Sequence, residues 1–196
     1  MTALSRKDLL SLEDYARQRN SFRERVMAHK QHRQVVLGEH LRLLFEDRLT
    51  IQYQVQEMLR AERIFEAEGI EEELAAYNPL IPDGDNWKAT MMIEYAEVDK
   101  RRQALSELVG IEDLIWVQIG NEDRIFAIAD EDLERSTEDK TSSVHFLRFP
   151  LTGAAIAAAN SGADITFGVE HPQYREKLTV AETVRTALCQ DLTSGH

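Results

Sequence analysis

Glu62 is an ionisable residue that a helical reading sets among apolar companions. Between Phe45 and Phe65, the residues Ile51, Val55, Met58, Glu62 and Phe65 follow the three-and-four spacing of one helix face. The carboxylate is therefore expected to point where the other four side chains point, into the protein. A carboxylate buried without a partner costs several kcal/mol, so it must be paired, hydrogen-bonded, protonated or bound to a cation. Arg48 or another arginine is the cheapest partner. A structural ion pair and a functional acid, base or ligand are the two readings, because perturbed carboxylates occur in both settings. Glu57 projects from another face and cannot share a mononuclear site with Glu62 from this helix alone.

Two histidines stand where an imidazole could do chemistry. His145 lies in Val144-His-Phe-Leu-Arg-Phe149, on the same side as Leu147 and Phe149, where it is partly buried. His171 opens His171-Pro-Gln-Tyr174 directly after a strand, and Pro172 fixes the backbone behind it. His171 is the better functional candidate of the two, with a structural turn as the competing reading. Asn78, in the loop Tyr77-Asn-Pro-Leu-Ile-Pro-Asp-Gly84, and Tyr174 complete a ligand-binding candidate set of Glu62, Arg48, His145, His171, Tyr174 and Asn78. His29, His32, Glu39 and His40 superficially resemble a metal set. They lack the His-Glu-x-x-His pattern and lie among basic residues, so solvated surface histidines are expected there and no metal site is assigned.

Composition narrows the classes. A net charge of -12 repels phosphate backbones and anionic lipid, so nucleic acid and membrane surfaces are not expected partners. The longest apolar run, Gly153 to Ala159, falls far short of the ~20 residues that span a bilayer. The single Cys189 cannot form an internal disulfide, and the opening residues form no signal peptide, which together point to the cytoplasm. A chain of 196 residues fits a single domain, with residues 1–32 as a helical N-terminal arm.

The elements that must position these residues follow from spacing. Ser5 to Asp8 has capping-box spacing and opens a helix that frays near His32. Val35-Val-Leu37 and Leu41-Arg-Leu-Leu-Phe45 read as strands around Gly38, with a continuous helix as the runner-up. Asp47 or Thr50 caps the Glu62 helix, which is expected to end near Gly69. From there to Trp87 an acidic turn, Glu71-Glu-Glu73, and the two-proline segment form the longest loop, a binding loop or a plug made by Leu80 and Ile81. A strand at Ala89–Tyr95 and a helix at Glu97–Leu108 come next. Ile115–Ile119 and Ile125–Ala129 make the best hairpin, and Val144–Phe149, Thr152–Ala159 and Ala163–Val169 look like one crossover unit. Thr179 to Glu182 is a second capping box, before a terminal helix. The fold expected is α+β, with a mixed or mainly antiparallel sheet and helices packed on it.

Four segments carry a resemblance: Phe45 to Glu62, Tyr77 to Gly84, Thr141-Ser-Ser-Val-His-Phe-Leu-Arg-Phe149 and His171 to Tyr174. In this order they resemble a bacterial family known as domain of unknown function 3501, over essentially the whole chain. The resemblance implies an accessory role, because members of that family are often encoded beside rubrerythrin-like and iron-sulfur oxidoreductase proteins, and with it a redox protein partner. The chain lacks the cysteine set of an iron-sulfur cluster and the repeated Glu-x-x-His of a di-iron bundle, so no cofactor of its own is expected. No complete catalytic motif is present, and the reading leans away from an enzyme. The alternative is a small enzyme or ligand-binding protein whose pocket gathers Glu62, the Tyr77–Gly84 loop and His145 or His171.

Overall fold

A computed structural model describes residues 3–193, so the ends of the expected 1–196 domain, residues 1–2 and 194–196, lie outside it. The described residues form nine strands, the longer inner ones built on alternating apolar side chains: β1 (Gln34–Leu37), β2 (Leu41–Phe45), β3 (Asn86–Ile93), β4 (Ile115–Ile119), β5 (Ile125–Phe126), β6 (Ile128–Ala129), β7 (Val144–Pro150), β8 (Ile165–His171) and β9 (Tyr174–Thr179). The α-helices among the described residues are α1 (Leu12–Lys30), α2 (Arg48–Glu62), α3 (Ala67–Tyr77), α4 (Val98–Glu107), α5 (Gly153–Asn160) and α6 (Glu182–Cys189). The strands form a five-stranded sheet in the order β1-β2-β3-β7-β6 and a four-stranded sheet in the order β5-β4-β8-β9, with every pair antiparallel. The α+β class holds. The antiparallel form of the expected sheet is the one found, divided between two sheets.

The inward faces of both sheets share one apolar core. Phe45, Trp87 and Phe149 from the larger sheet meet Phe167 from the smaller, with ring centroids 4.9 Å apart for Phe45–Phe167 and 5.5 Å for Phe149–Phe167. Burying each such ring contributes roughly 1.5–3 kcal/mol, which sets the register of each strand, since a one-residue slip would turn these side chains outward. A second cluster forms where Ile51, Val55 and Leu59 of α2, spaced four apart, pack on Leu74 of α3, Ile81 and Leu4. α1 lies along α2: Tyr15 and Val26 are fully buried, and the Tyr15 hydroxyl and Arg19 converge on Glu57 at 2.7–2.8 Å.

Several local expectations are corrected. α2 stops at Glu62 because Arg63 adopts a left-handed conformation (φ 56), and the helix does not reach Gly69. Glu71–Glu73 therefore sits inside α3 rather than in a turn, in a helix held down by Ile70 and Leu74, one turn apart. Only Ile125 and Phe126 complete the hairpin with β4; after Ala127, Ile128 and Ala129 cross to the larger sheet and pair with β7. β7 and β8 lie in different sheets, so the segment joining them through α5 is no parallel crossover. Thr179 caps no helix: it ends β9 and hydrogen-bonds Thr166, and α6 begins after Ala181. Other expectations match. Gly38 turns β1 into β2 at φ 67, and the Asp47 carboxylate caps α2 by accepting from the Thr50 amide at 2.9 Å.

Candidate functional site

Alternation puts Lys88 and Thr90 of β3, with their cross-strand partners Arg148 and Phe146 of β7, on the face of the larger sheet turned away from the core. Opposite this face α3 presents Glu73, Ala76 and Tyr77, one stripe at helical spacing that Leu80 continues. The third side is the segment after β6, which supplies Glu131, Asp132 and Arg135. Asp83, Asp85 and Asn86 close one end. The result is a cleft of about 1110 Å³ walled by α2, α3 and their connection to β3 and floored by the sheet. Apolar surface from Met58, Tyr77, Pro79, Leu80 and Phe146 is interleaved with charge, the composition expected of a site that buries a ligand's body and orients its polar end.

The lining cations all have carboxylate partners. Lys88 is buried and donates to Asp83 at 2.8 Å and to the Ile81 carbonyl at 2.9 Å. Arg148 grips Glu131 with two bonds, 2.8 and 2.7 Å long. Arg135 holds Asp132 at 2.7 Å and Asp130 at 3.1 Å, and its guanidinium lies 4.6 Å from the centre of the Phe146 ring. These bonds hold Glu131 and Asp132 below the usual carboxylate range; Asp83 is lowered too, burial opposing the shift and Lys88 and Asn86 prevailing. Asn86, itself buried, donates its side-chain amide to Asp83 at 3.0 Å and to Asp85 at 2.8 Å, fixing this acidic corner. Two lining carboxylates, Glu73 and Asp85, form no ion pair among the described residues. Burial, followed by the charges of Glu62 and Glu72, pushes the Glu73 carboxyl up.

Behind the Arg135 wall runs a buried polar chain. Asp130 ends β6 in the left-handed region (φ 49), a conformation that aspartate tolerates better than most residues. One of its oxygens accepts from the Phe146 amide at 3.0 Å and from Arg135; the other lies 2.6 Å from His145 Nδ1. Nε2, at the other side of the ring, lies 3.1 Å from the Ser142 carbonyl, so both ring nitrogens face acceptors. His145 Nε2 lies 2.8 Å from the Thr141 hydroxyl, which lies 3.0 Å from Glu112; the Ser136 hydroxyl donates to the same carboxylate. His145 is fully buried and Thr141 nearly so. The chain pins the 130–141 segment, and with it one wall of the cleft, to the sheet.

The whole chain has relatives. A family described as "Protein of unknown function (DUF3501)" matches residues 3–192. This chain belongs to that family. A crystal structure of a novel protein of unknown function from Burkholderia pseudomallei K96243 is 50% identical to it, with a TM-score of 0.94, and covers 98% of this chain and 100% of that one. No curated protein matches. The family expected from the four sequence segments is thereby established, and neither description assigns an activity.

Within this fold the six expected site residues do not converge. Glu62 is exposed at the end of α2, contrary to the buried position that its spacing suggested. Its charge, after burial, is among the causes that push the Glu73 carboxyl up. Arg48 pairs with Asp8, not with Glu62. Asn78 clasps the backbone of Leu4, accepting at 2.8 Å and donating at 2.9 Å. His171 is buried in its turn, accepting from the Gln173 amide and facing the Val109 carbonyl, both at 3.2 Å. Tyr174 donates to the Leu37 carbonyl at 2.7 Å and accepts from the His40 amide at 3.1 Å, bracing the Gly38 turn. Only His145 adjoins the cleft, from behind, through Asp130. The Tyr77–Gly84 loop does both things expected of it: Ile81 plugs the second core, and Tyr77, Pro79, Leu80 and Asp83 line the cleft. Glu73, Asp85, Lys88, Arg135, Phe146 and Arg148 were not singled out from the sequence. Outward positions of strands are its only signal for Lys88, Phe146 and Arg148. Among the described residues no three His, Cys, Asp or Glu side chains are grouped as metal ligands would be, and no helix is long and apolar enough to cross a membrane.

Proposed function

We propose that this protein binds a small organic molecule in the cleft between α3 and the outer face of the five-stranded sheet, and that it acts as a binding protein rather than a catalyst. The observation that carries this reading is the cleft itself: about 1110 Å³ with Tyr77 and Phe146 among its apolar walls and a ring of fixed charges. Covalent catalysis needs a nucleophile beside a base within reach of substrate. Here the imidazole with a carboxylate at one end and a hydroxyl at the other, His145, is sealed behind the wall. Ala76 is exposed on the α3 stripe, so Ala76→Trp fills the cleft without touching either core. Native mass spectrometry of untagged protein is expected to find a retained small molecule in the wild type that A76W lacks; identical spectra for the two proteins would defeat the reading.

A second reading, docking of the redox protein that the family resemblance implies, draws support from the same sheet beyond the cleft. There Val36 and Val144 are exposed on the outward face, in a row that Arg42 and Met92 complete and that a partner could cover. The lone Cys189 suits a reducing cytoplasm for either role. Retention of an oxidoreductase by tagged wild-type protein, lost with Val36→Glu/Val144→Glu, supports docking; failure to retain one counts against it.

A further inference from the structure

We infer that the ligand of this cleft is an organic cation, an amine or guanidine carried on an apolar body, with Glu73 and Asp85 as its charge partners. The inference rests on the binding reading above and adds the sign of the ligand's charge. Three cations line the cleft, and each already has a carboxylate: Lys88 has Asp83, Arg148 has Glu131, and Arg135 has Asp132. A ligand anion would have to share one of these cations with the carboxylate it already holds, in a cleft lined by five carboxylates and three cations. Removing the paired groups leaves Glu73 and Asp85 without an ion pair among the described residues, on two different walls. The charges of Glu62 and Glu72 act on Glu73 in the same sense, adding to the acid of the α3 wall. Asp85 is presented by the buried Asn86 amide at 2.8 Å, so the carboxylate is oriented in advance.

The aromatic walls agree with a cation. The Arg135 guanidinium over Phe146, 4.6 Å from its centre, shows that a ring of this cleft already receives positive charge on its face. Tyr77, on the opposite wall, offers a second aromatic surface against which an alkyl or aryl body can lie. The whole molecule's net charge of -12 draws cations toward the protein and slows anions.

The test is isothermal titration of wild type, Glu73→Gln/Asp85→Asn and A76W with three isosteric probes: 4-phenylbutylamine, 4-phenylbutyrate and 4-phenylbutanol. Circular dichroism checks that each variant is folded. The amine is expected to bind wild type roughly tenfold or more tightly than either other probe, a margin that the double variant abolishes, and A76W to bind none of them. Equal or tighter binding of the butyrate or butanol, still lost in A76W, overturns the cationic assignment and leaves the cleft reading standing. Failure of all three to bind, or binding that A76W leaves intact, overturns the cleft reading itself.

Discussion

Arg33 shows how one side chain can join distant parts of this molecule. It is fully buried and donates to the carbonyls of Phe45, Ala187 and Glu46 at 3.0–3.1 Å while pairing with Asp191 and, at 3.4 Å, with Asp47. Two carboxylates around one guanidinium are driven apart. Burial pushes Asp191 up from 3.8 to about 6 against the pull of Arg33, whereas Asp47 is lowered: burial opposes the shift, and Arg33, the Thr50 amide and His29 together outweigh it. The signs are opposite. Asp191 contributes stability that is full below its ordinary value and lost as pH rises through about 6; Asp47 contributes stability that is present above its ordinary value and lost as pH falls. Asp191→Asn is therefore expected to remove the decline in urea stability between about pH 4 and 6, and an unchanged profile would show that Asp191 does not titrate there. Arg33→Met strands both carboxylates in the interior and is expected to cost about 3–5 kcal/mol at neutral pH, read from the shift of the urea midpoint.

At the scale of elements, the wall of the cleft depends on how β6 is anchored. Two residues of strand, Ile128 and Ala129, pair with β7, after which the chain relies on Asp130 and its contacts to His145, Phe146 and Arg135. His145→Leu would leave Asp130 and Glu112 facing an apolar side chain in the interior, at a cost on the order of 3 kcal/mol. Its effect is expected to be local as well: hydrogen exchange in residues 131–140 accelerates more than in β2 or β3, which an even loss of protection over the whole sheet would contradict. The elements themselves were largely legible. Apolar alternation located β2, β3, β4, β7 and β8, and Gly38 marked the first turn. What alternation does not encode is which sheet a strand joins, so the division of Ile125–Ala129 between two sheets and the separation of β7 from β8 were missed. Glu62 was misplaced for a related reason. Its helix is ended by Arg63 in a left-handed conformation, with none of the glycine or asparagine that usually announces one, so the apolar period was read past the helix's end.

For the molecule as a whole, the cleft is a product of tertiary assembly. Met58, the Glu73–Tyr77 stripe, the Asp83–Lys88 corner, the Glu131–Arg135 wall and the Phe146–Arg148 floor are spread over residues 58–148. Each stretch reads alone as an ordinary solvated surface, and for that reason the site escaped a reading that looked for chemical motifs in adjacent residues. The Tyr77–Gly84 loop was the exception, because two prolines and an Asp-Gly pair set it apart. The central claim is that these stretches act together as one ligand site. Its most direct test is a titration of isotope-labelled protein with 4-phenylbutylamine followed by two-dimensional amide NMR. Saturable shifts at Ala76, Tyr77, Asp85, Lys88, Phe146 and Arg148, all fitting one dissociation constant, are the predicted result; shifts that gather elsewhere on the surface, or that fit unrelated constants from stretch to stretch, would contradict it.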